Sequence, residues 1–256
     1  MDTRYLLHRR LNYANLLSAN LENALAEWTG FRGNVQLQYF PSREKRVVTV
    51  KLKLINEPDY VHWGILLGLL THSLRSTLDN TIYGLSTTKT NQSQFPVFTS
   101  EAGYNSKSVK YLSGISDPRL VNFIKRRQPF NFSPSYNHPL HLLQELNNAD
   151  KHRIPKFVLI RPKDFQAQLS IEFEDERDVH EPNIRFNEEP ILDGSWIVKY
   201  QFKRPFKRFT DNSVMQFQAQ VEINGRHYSI KQLCSEVLRE VFEITNFLSS
   251  GLKTGT

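Results

Sequence analysis

"EPDYVHWGILLGLLTHSLRSTLDNTIYGLS", Glu57 to Ser86, is the stretch that decides what kind of fold this chain adopts. Pro58 stands near its start, where the missing N–H costs a helix nothing, and apolar residues then recur around most of the helical circumference. The pattern predicts a long helix buried on more than one side. Polar groups inside such a helix need partners. His72, Arg75 and Asp79 fall at i, i+3 and i+7 and therefore share a face, with Ser76 and Tyr83 on the same strip. One reading is an Arg75–Asp79 pair at i, i+4 beside a hydrogen-bonded core histidine. The other is a chemical site.

Working outward toward the N-terminus, Leu6, Leu7, Leu11, Ala14, Leu17, Leu21, Ala24 and Leu25 recur at three- and four-residue intervals, predicting a helix over 3–29 that Gly30 and Gly33 end. "NVQLQYF" and "RVVTVKLKL" alternate apolar and polar residues around "PSREK", which predicts a β-hairpin over about 34–54. Toward the C-terminus, a Ser/Thr/Asn/Gln-rich loop at 86–100 leads to "FPVF", followed by short helices at 105–113 and 117–127 and a helix from Pro139 to about Arg153. Beyond Pro155 the texture changes to strands: "KFVLI", "AQLSIEFE", "SWIVKYQFK", "VMQFQAQVEI" and "RHYSI". The last two flank Asn224-Gly225, a strong hairpin signal, and a helix over about 230–250 closes the chain. The expectation is an α+β fold: a mainly helical portion at 1–154 carrying the hairpin, and an antiparallel β portion at 155–256 closed by a helix that packs back.

A second polar segment ends the helix from Pro139. In "LLQELNNADKHRIP", Lys151, His152 and Arg153 suit a last turn, where cations complement the exposed carbonyls. Asn147, Asn148 and Asp150 do not, because short polar side chains compete with the helical backbone and an acid is poorly placed there. Glu145, Asn148 and His152 share a face beside the apolar stripe of Leu142, Leu146 and Ala149. This turn is a polar site, structural or chemical, and the helix carrying Arg75 is expected to pack against it.

The 256 residues, 39% of them hydrophobic, suffice for a packed core, and the formal charge of +7 favours a polyanionic partner or simply solubility. One cysteine, Cys234, rules out an internal disulfide or a cysteine-based zinc site. No window approaches 18 apolar residues, so neither a signal peptide nor a spanning helix is expected, and the location expected is cytoplasmic. There is no phosphate-binding glycine loop and no dinucleotide fingerprint. "FIKRRQPFNF" and "YQFKRPFKRF" interleave cations with phenylalanine, a composition suited to RNA, although the acidic "EFEDERDVHEPNIRFNEE" offers the second of them a neighbour across a sheet.

"HSLRSTLDNTIYGL", an "FP" loop, "QPF" and "PLHLLQELNNADKHR", in that order, resemble an uncharacterised bacterial family with an R-S-x-L-D helix and an N-x-D-K-H-R helix end. The match covers roughly 60–155 and is loosely similar to the HEPN domains, helical bundles that include metal-independent ribonucleases of toxin and phage-defence systems. The resemblance implies an RNA-directed protein without cofactor or metal, partnered by RNA, another protein or a second copy of itself. Its site would draw on Arg75, Asp79, Asn80 and His152 for chemistry. Asn148, Asp150, Lys151, Arg153, Arg126 and Arg127 would bind substrate. The chain departs from the HEPN motif, since no arginine is followed by histidine after four to six intervening residues and Asn80 stands at the fifth position after Arg75. Asparagine is neither acid nor base near neutral pH, so proton transfer would fall to His152, with Arg75 stabilising phosphorane charge. The alternatives are a non-catalytic binding or assembly module with a buried salt-bridge network, and a metal-dependent hydrolase using His72, Asp79, Asp150 and His152.

Overall fold

The computed structural model describes residues 3–152, 157–166, 168–173, 180–187, 189 and 192–252, with backbone alone at 32, 150–152, 157–166 and 214–216. The fold is α+β, with six described helices and antiparallel sheets that include an N-terminal hairpin. The helices are α1 (Thr3–Gly30), α2 (Tyr60–Leu85), α3 (Glu101–Leu112), α4 (Pro118–Arg126), α5 (Pro139–His152) and α6 (Ile230–Ser249). The strands are β1 (Val35–Pro41), β2 (Val47–Leu54), β3 (Phe157–Gln166), β4 (Leu169–Phe173), β5 (Asn183–Phe186), β6 (Trp196–Gln201), β7 (Phe206–Asp211), β8 (Val214–Ile223) and β9 (Arg226–Ser229).

Two compact units emerge, and neither is contiguous in sequence: one comprises 1–23, 61–156 and 222–256, the other 24–60 and 157–221. They cut the chain differently from a division at 154/155. In the first unit, Leu7, Leu11 and Leu17 of α1, Leu67, Leu74 and Leu78 of α2, and Val237, Val241 and Leu248 of α6 are all buried, each set at helical spacing. Arg10 touches Ser76 and Thr3 lies over Gly84, so α1 and α2 run antiparallel. Helix α6 packs on α5. Ser100 starts α3 by accepting from the Gly103 N–H, which places that helix start four residues before the expected 105. Asp117 caps α4 at the Arg119 N–H, with Pro118 in the first turn.

In the second unit β1, β2, β6 and β5 form one antiparallel sheet in that order, and β4 pairs with β7. The alternation read in "RVVTVKLKL" buries Val48, Val50 and Leu52 against Val198, Tyr200, Phe202 and Phe206. The Tyr200 hydroxyl donates to Asp211 at 2.8 Å, and burial raises its pKa well above the ordinary phenol value. Strands β5 and β7 were not expected, because each lies in a charge-rich run. Pairing explains the charges of β7, whose Arg208 stands opposite Glu172 of β4 in the acidic run, but not those of β5, whose Arg185 stands opposite Lys199. The β8–β9 turn has Asn224 at φ 51° and Gly225 at φ 76°, the left-handed pair that a two-residue hairpin requires.

Candidate functional site

The polar strip of α2 divides into two neighbouring strips that face different ways, since successive helical residues are turned by about 100°. Arg75 and Asp79 turn inward. Arg75 Nε donates to Asp79 Oδ2 at 3.2 Å and Nη2 to Asp79 Oδ1 at 2.9 Å. Nη2 also donates to the Phe95 carbonyl at 2.6 Å, and Nη1 to Gln144 Oε1 on α5 at 3.1 Å. All three guanidinium nitrogens are thus engaged within the protein, and Arg75 is only 9% exposed.

Asp79 completes the arrangement by accepting from the Phe95 N–H at 2.9 Å. The ion pair therefore satisfies both backbone polar groups of Phe95, a residue wholly buried in a segment without secondary structure. Buried backbone outside a helix or sheet needs such partners from side chains. Gln128, also fully buried, does the same next door: its Nε2 donates to the carbonyls of Pro96 and Ile124, and its Oε1 accepts from the Phe98 N–H. The R-S-x-L-D helix, the "FP" loop, "QPF" and the helix ending "NNADKHR" thus contribute Arg75, Asp79, Phe95, Pro96, Gln128 and Gln144 to one continuous set of contacts.

Arg75 meets α5 at Gln144, more than a turn before the Asp150–Arg153 turn that it was expected to meet. Asn147 is buried, Asn148 is exposed, and Glu145 accepts from Asn224 at 3.0 Å. The side chains of Asp150, Lys151 and His152, and all of Arg153, lie outside the described residues. At the opposite end of α5, His138 occupies the N-cap and is 6% exposed, with Nδ1 accepting from the Leu140 N–H at 3.2 Å. Burial, followed by the charges of Arg127 and His141, pushes its pKa down to about 4, so the ring is neutral near pH 7. Histidine directly before a helix-starting proline was the available signal, and the sequence reading passed over it.

The outward strip of α2 faces α1. His72, Ser76 and Leu69 join Leu6, Arg10 and Tyr13 around an open groove of about 470 Å³ that Arg9 and Ser73 also border. Arg10 Nη1 and Asn80 Nδ2 both donate to Ser76 Oγ, at 2.9 and 3.2 Å. Asn80 accordingly belongs to this face rather than to the Arg75 network.

Most aromatic rings of the two basic stretches are engaged inside the protein, while Phe132 is exposed and lies against His138. Phe123 stacks on Phe247 at 3.8 Å between centroids, and Phe202 and Phe206 belong to the core of the strand unit. Arg127 bridges Glu240 at 3.3 Å and Glu243 at 2.8 Å, and Lys125 bridges Glu101. Burial raises the Glu240 pKa, and Arg127 pulls it back. Arg126 is exposed. Cys234 is buried and its thiol is pushed up to about 12 by burial, a poor nucleophile. Among the described residues no group of three or more histidine, cysteine, aspartate or glutamate side chains could hold a metal ion. Likewise, no described helix is long and apolar enough to cross a membrane. No family model, curated protein or solved structure matches the chain.

Proposed function

We propose that this chain is a non-catalytic binding or assembly module, with the Arg75–Asp79 pair serving as its internal brace. The observation that carries the reading is the engagement of every Arg75 nitrogen by Asp79, Gln144 and the Phe95 carbonyl. An arginine that stabilises a phosphorane needs free donors aimed at the reacting group. This one commits a donor from every nitrogen to partners inside the protein. The ion pairs of Arg127 and the inward rings of Phe202 and Phe206 in the second basic stretch weigh the same way, since stacking on RNA bases requires exposed rings.

The test is incubation of the purified protein with total cellular RNA, with and without EDTA. Intact RNA in both arms is the expected result. Cleavage that persists in EDTA and disappears in His152→Ala would overturn the proposal in favour of an RNA-directed, HEPN-like ribonuclease. Cleavage confined to the EDTA-free arm would overturn it in favour of a metal-dependent hydrolase.

A further inference from the structure

Helices α1 and α2 leave a long apolar stripe uncovered along the groove between them. Ile65 and Leu69 of α2 are 55% and 47% exposed, and Tyr13 and Leu16 of α1 are 53% and 55% exposed. With Val61, Ile65 and Leu69 at helical spacing, the apolar α2 side of the stripe extends about 12 Å at 1.5 Å per residue, and His72 and Ser76 continue the line as polar residues. An isolated surface leucine means little. A contiguous stripe with polar borders marks a docking surface.

The charges along it have one sign. Arg9 and Arg10 border the groove, and Arg10's hydrogen-bond partner there is the neutral Ser76 hydroxyl. From Thr3 to Leu21, α1 carries no carboxylate, and over Tyr60–Leu85 α2 carries only Asp79, which turns inward to Arg75. We infer that the α1–α2 groove binds an acidic amphipathic helix of a partner protein. Apolar residues at i, i+3 or i+4 and i+7 would fill the stripe, and flanking glutamates or aspartates would meet Arg9 and Arg10. The inference rests on the binding-module reading and names the chemistry of the partner.

Two other occupants fit less well. A second copy packed two-fold about this groove sets Arg9 and Arg10 against themselves, with Asp79, the one carboxylate over these helix segments, already paired with Arg75. RNA meets one tyrosine, Tyr13, among leucine, isoleucine and valine side chains, where base stacking calls for several aromatic faces.

The experiment uses the full chain and a displayed library of single helices whose charged and apolar positions are randomised. Helices enriched on the wild-type protein are expected to carry apolar residues on one face and glutamate or aspartate beside it. Their binding should fall at least about tenfold on Arg9→Glu/Arg10→Glu. A comparable loss is expected for Leu69→Gln, an exposed change that tests the apolar contact if the double variant fails to fold. Absence of enrichment, enrichment of basic helices, or binding indifferent to all three changes would overturn the inference. So would a dimer by light scattering that Leu69→Gln dissolves, which identifies a second copy as the occupant. An oligoribonucleotide that displaces the selected helices and loses affinity in Arg9→Glu/Arg10→Glu would identify RNA instead. Cleavage of RNA in the EDTA arms removes the non-catalytic reading while leaving this binding result to stand or fall separately.

Discussion

Arg75 does inside this protein what a β-ladder does elsewhere: with Asp79 it satisfies the backbone of one buried residue, Phe95. Arg75→Ala removes four hydrogen bonds at once and leaves the Phe95 carbonyl unpaired. Breaking a buried pair typically costs 3–5 kcal/mol, and because the Asp79 side chain is 31% exposed the expectation is the lower end, about 3 kcal/mol. Arg75→Lys keeps the charge but lacks the planar fork, so it should fall between wild type and alanine in denaturant midpoint. An unchanged Arg75→Ala midpoint would contradict the bracing role.

His138 supplies a pH dependence. The unfolded histidine takes a proton near pH 6.5, while the folded one resists until about pH 4, because burial and the charges of Arg127 and His141 disfavour the cation. Protons therefore favour the unfolded chain, and stability falls as pH drops from about 6.5 toward 4, by at most about 3 kcal/mol. Urea midpoints measured for wild type and His138→Asn across that window should converge as the pH falls. A difference between the two that stays constant with pH would show that His138 is not the titrating group. Of these residues, the Arg75–Asp79 spacing was legible in the sequence. The partners were not, because Phe95 and Gln144 meet Arg75 only through folding across a loop.

At the scale of elements, the segment 86–100 shows how a stretch without helix or strand is held. Its composition predicted a loop, and a loop it is, yet Phe95 is wholly buried. Gln128 fixes one side of it with three contacts, to Pro96, Ile124 and Phe98. Gln128→Leu keeps much of the side-chain volume but leaves those backbone groups unpaired in the interior. Each such group costs about 1–3 kcal/mol, so the variant should lose at least about 2 kcal/mol. Its Phe98 amide should exchange with deuterium faster than the amides of α2, whose ladder is untouched. Equal protection would show that the glutamine is dispensable. The polarity of a glutamine argues for the surface in any composition-based reading, and only the carbonyls converging on it explain its burial.

At the scale of the whole molecule, the chain returns to each compact unit after leaving it. A fragment of residues 1–154 lacks α6, whose Val237, Val241, Ile244 and Leu248 are 0–3% exposed in the full chain. It also keeps the β1–β2 hairpin without β6, the strand that pairs with β2. An isolated two-stranded hairpin is marginal in water, and a helical core missing one wall exposes the apolar surface it was built to bury. The fragment is therefore expected to show no cooperative thermal transition and to bind a hydrophobic dye. A sharp unfolding transition from the fragment would mean that the first 154 residues fold alone.

The sequence by itself determined most of what is local. Helical spacing placed α1, α2, α5 and α6, alternation placed β1 and β2, and Asn224-Gly225 placed the β8–β9 turn, because each of these patterns is satisfied by neighbours a few residues away. Strands β5 and β7 escaped it as strands, since cations such as Arg185 and Arg208 belong in a strand only once the opposite strand is known, although the acidic run was expected across a sheet from the basic one. The tertiary structure alone decided that the first hairpin joins the late strands and that the polar strip of α2 splits into an inward brace and an outward groove. The physical reason is the same in each case. Spacing along one element specifies which residues share a face, while burial and hydrogen bonding by distant residues decide what that face meets.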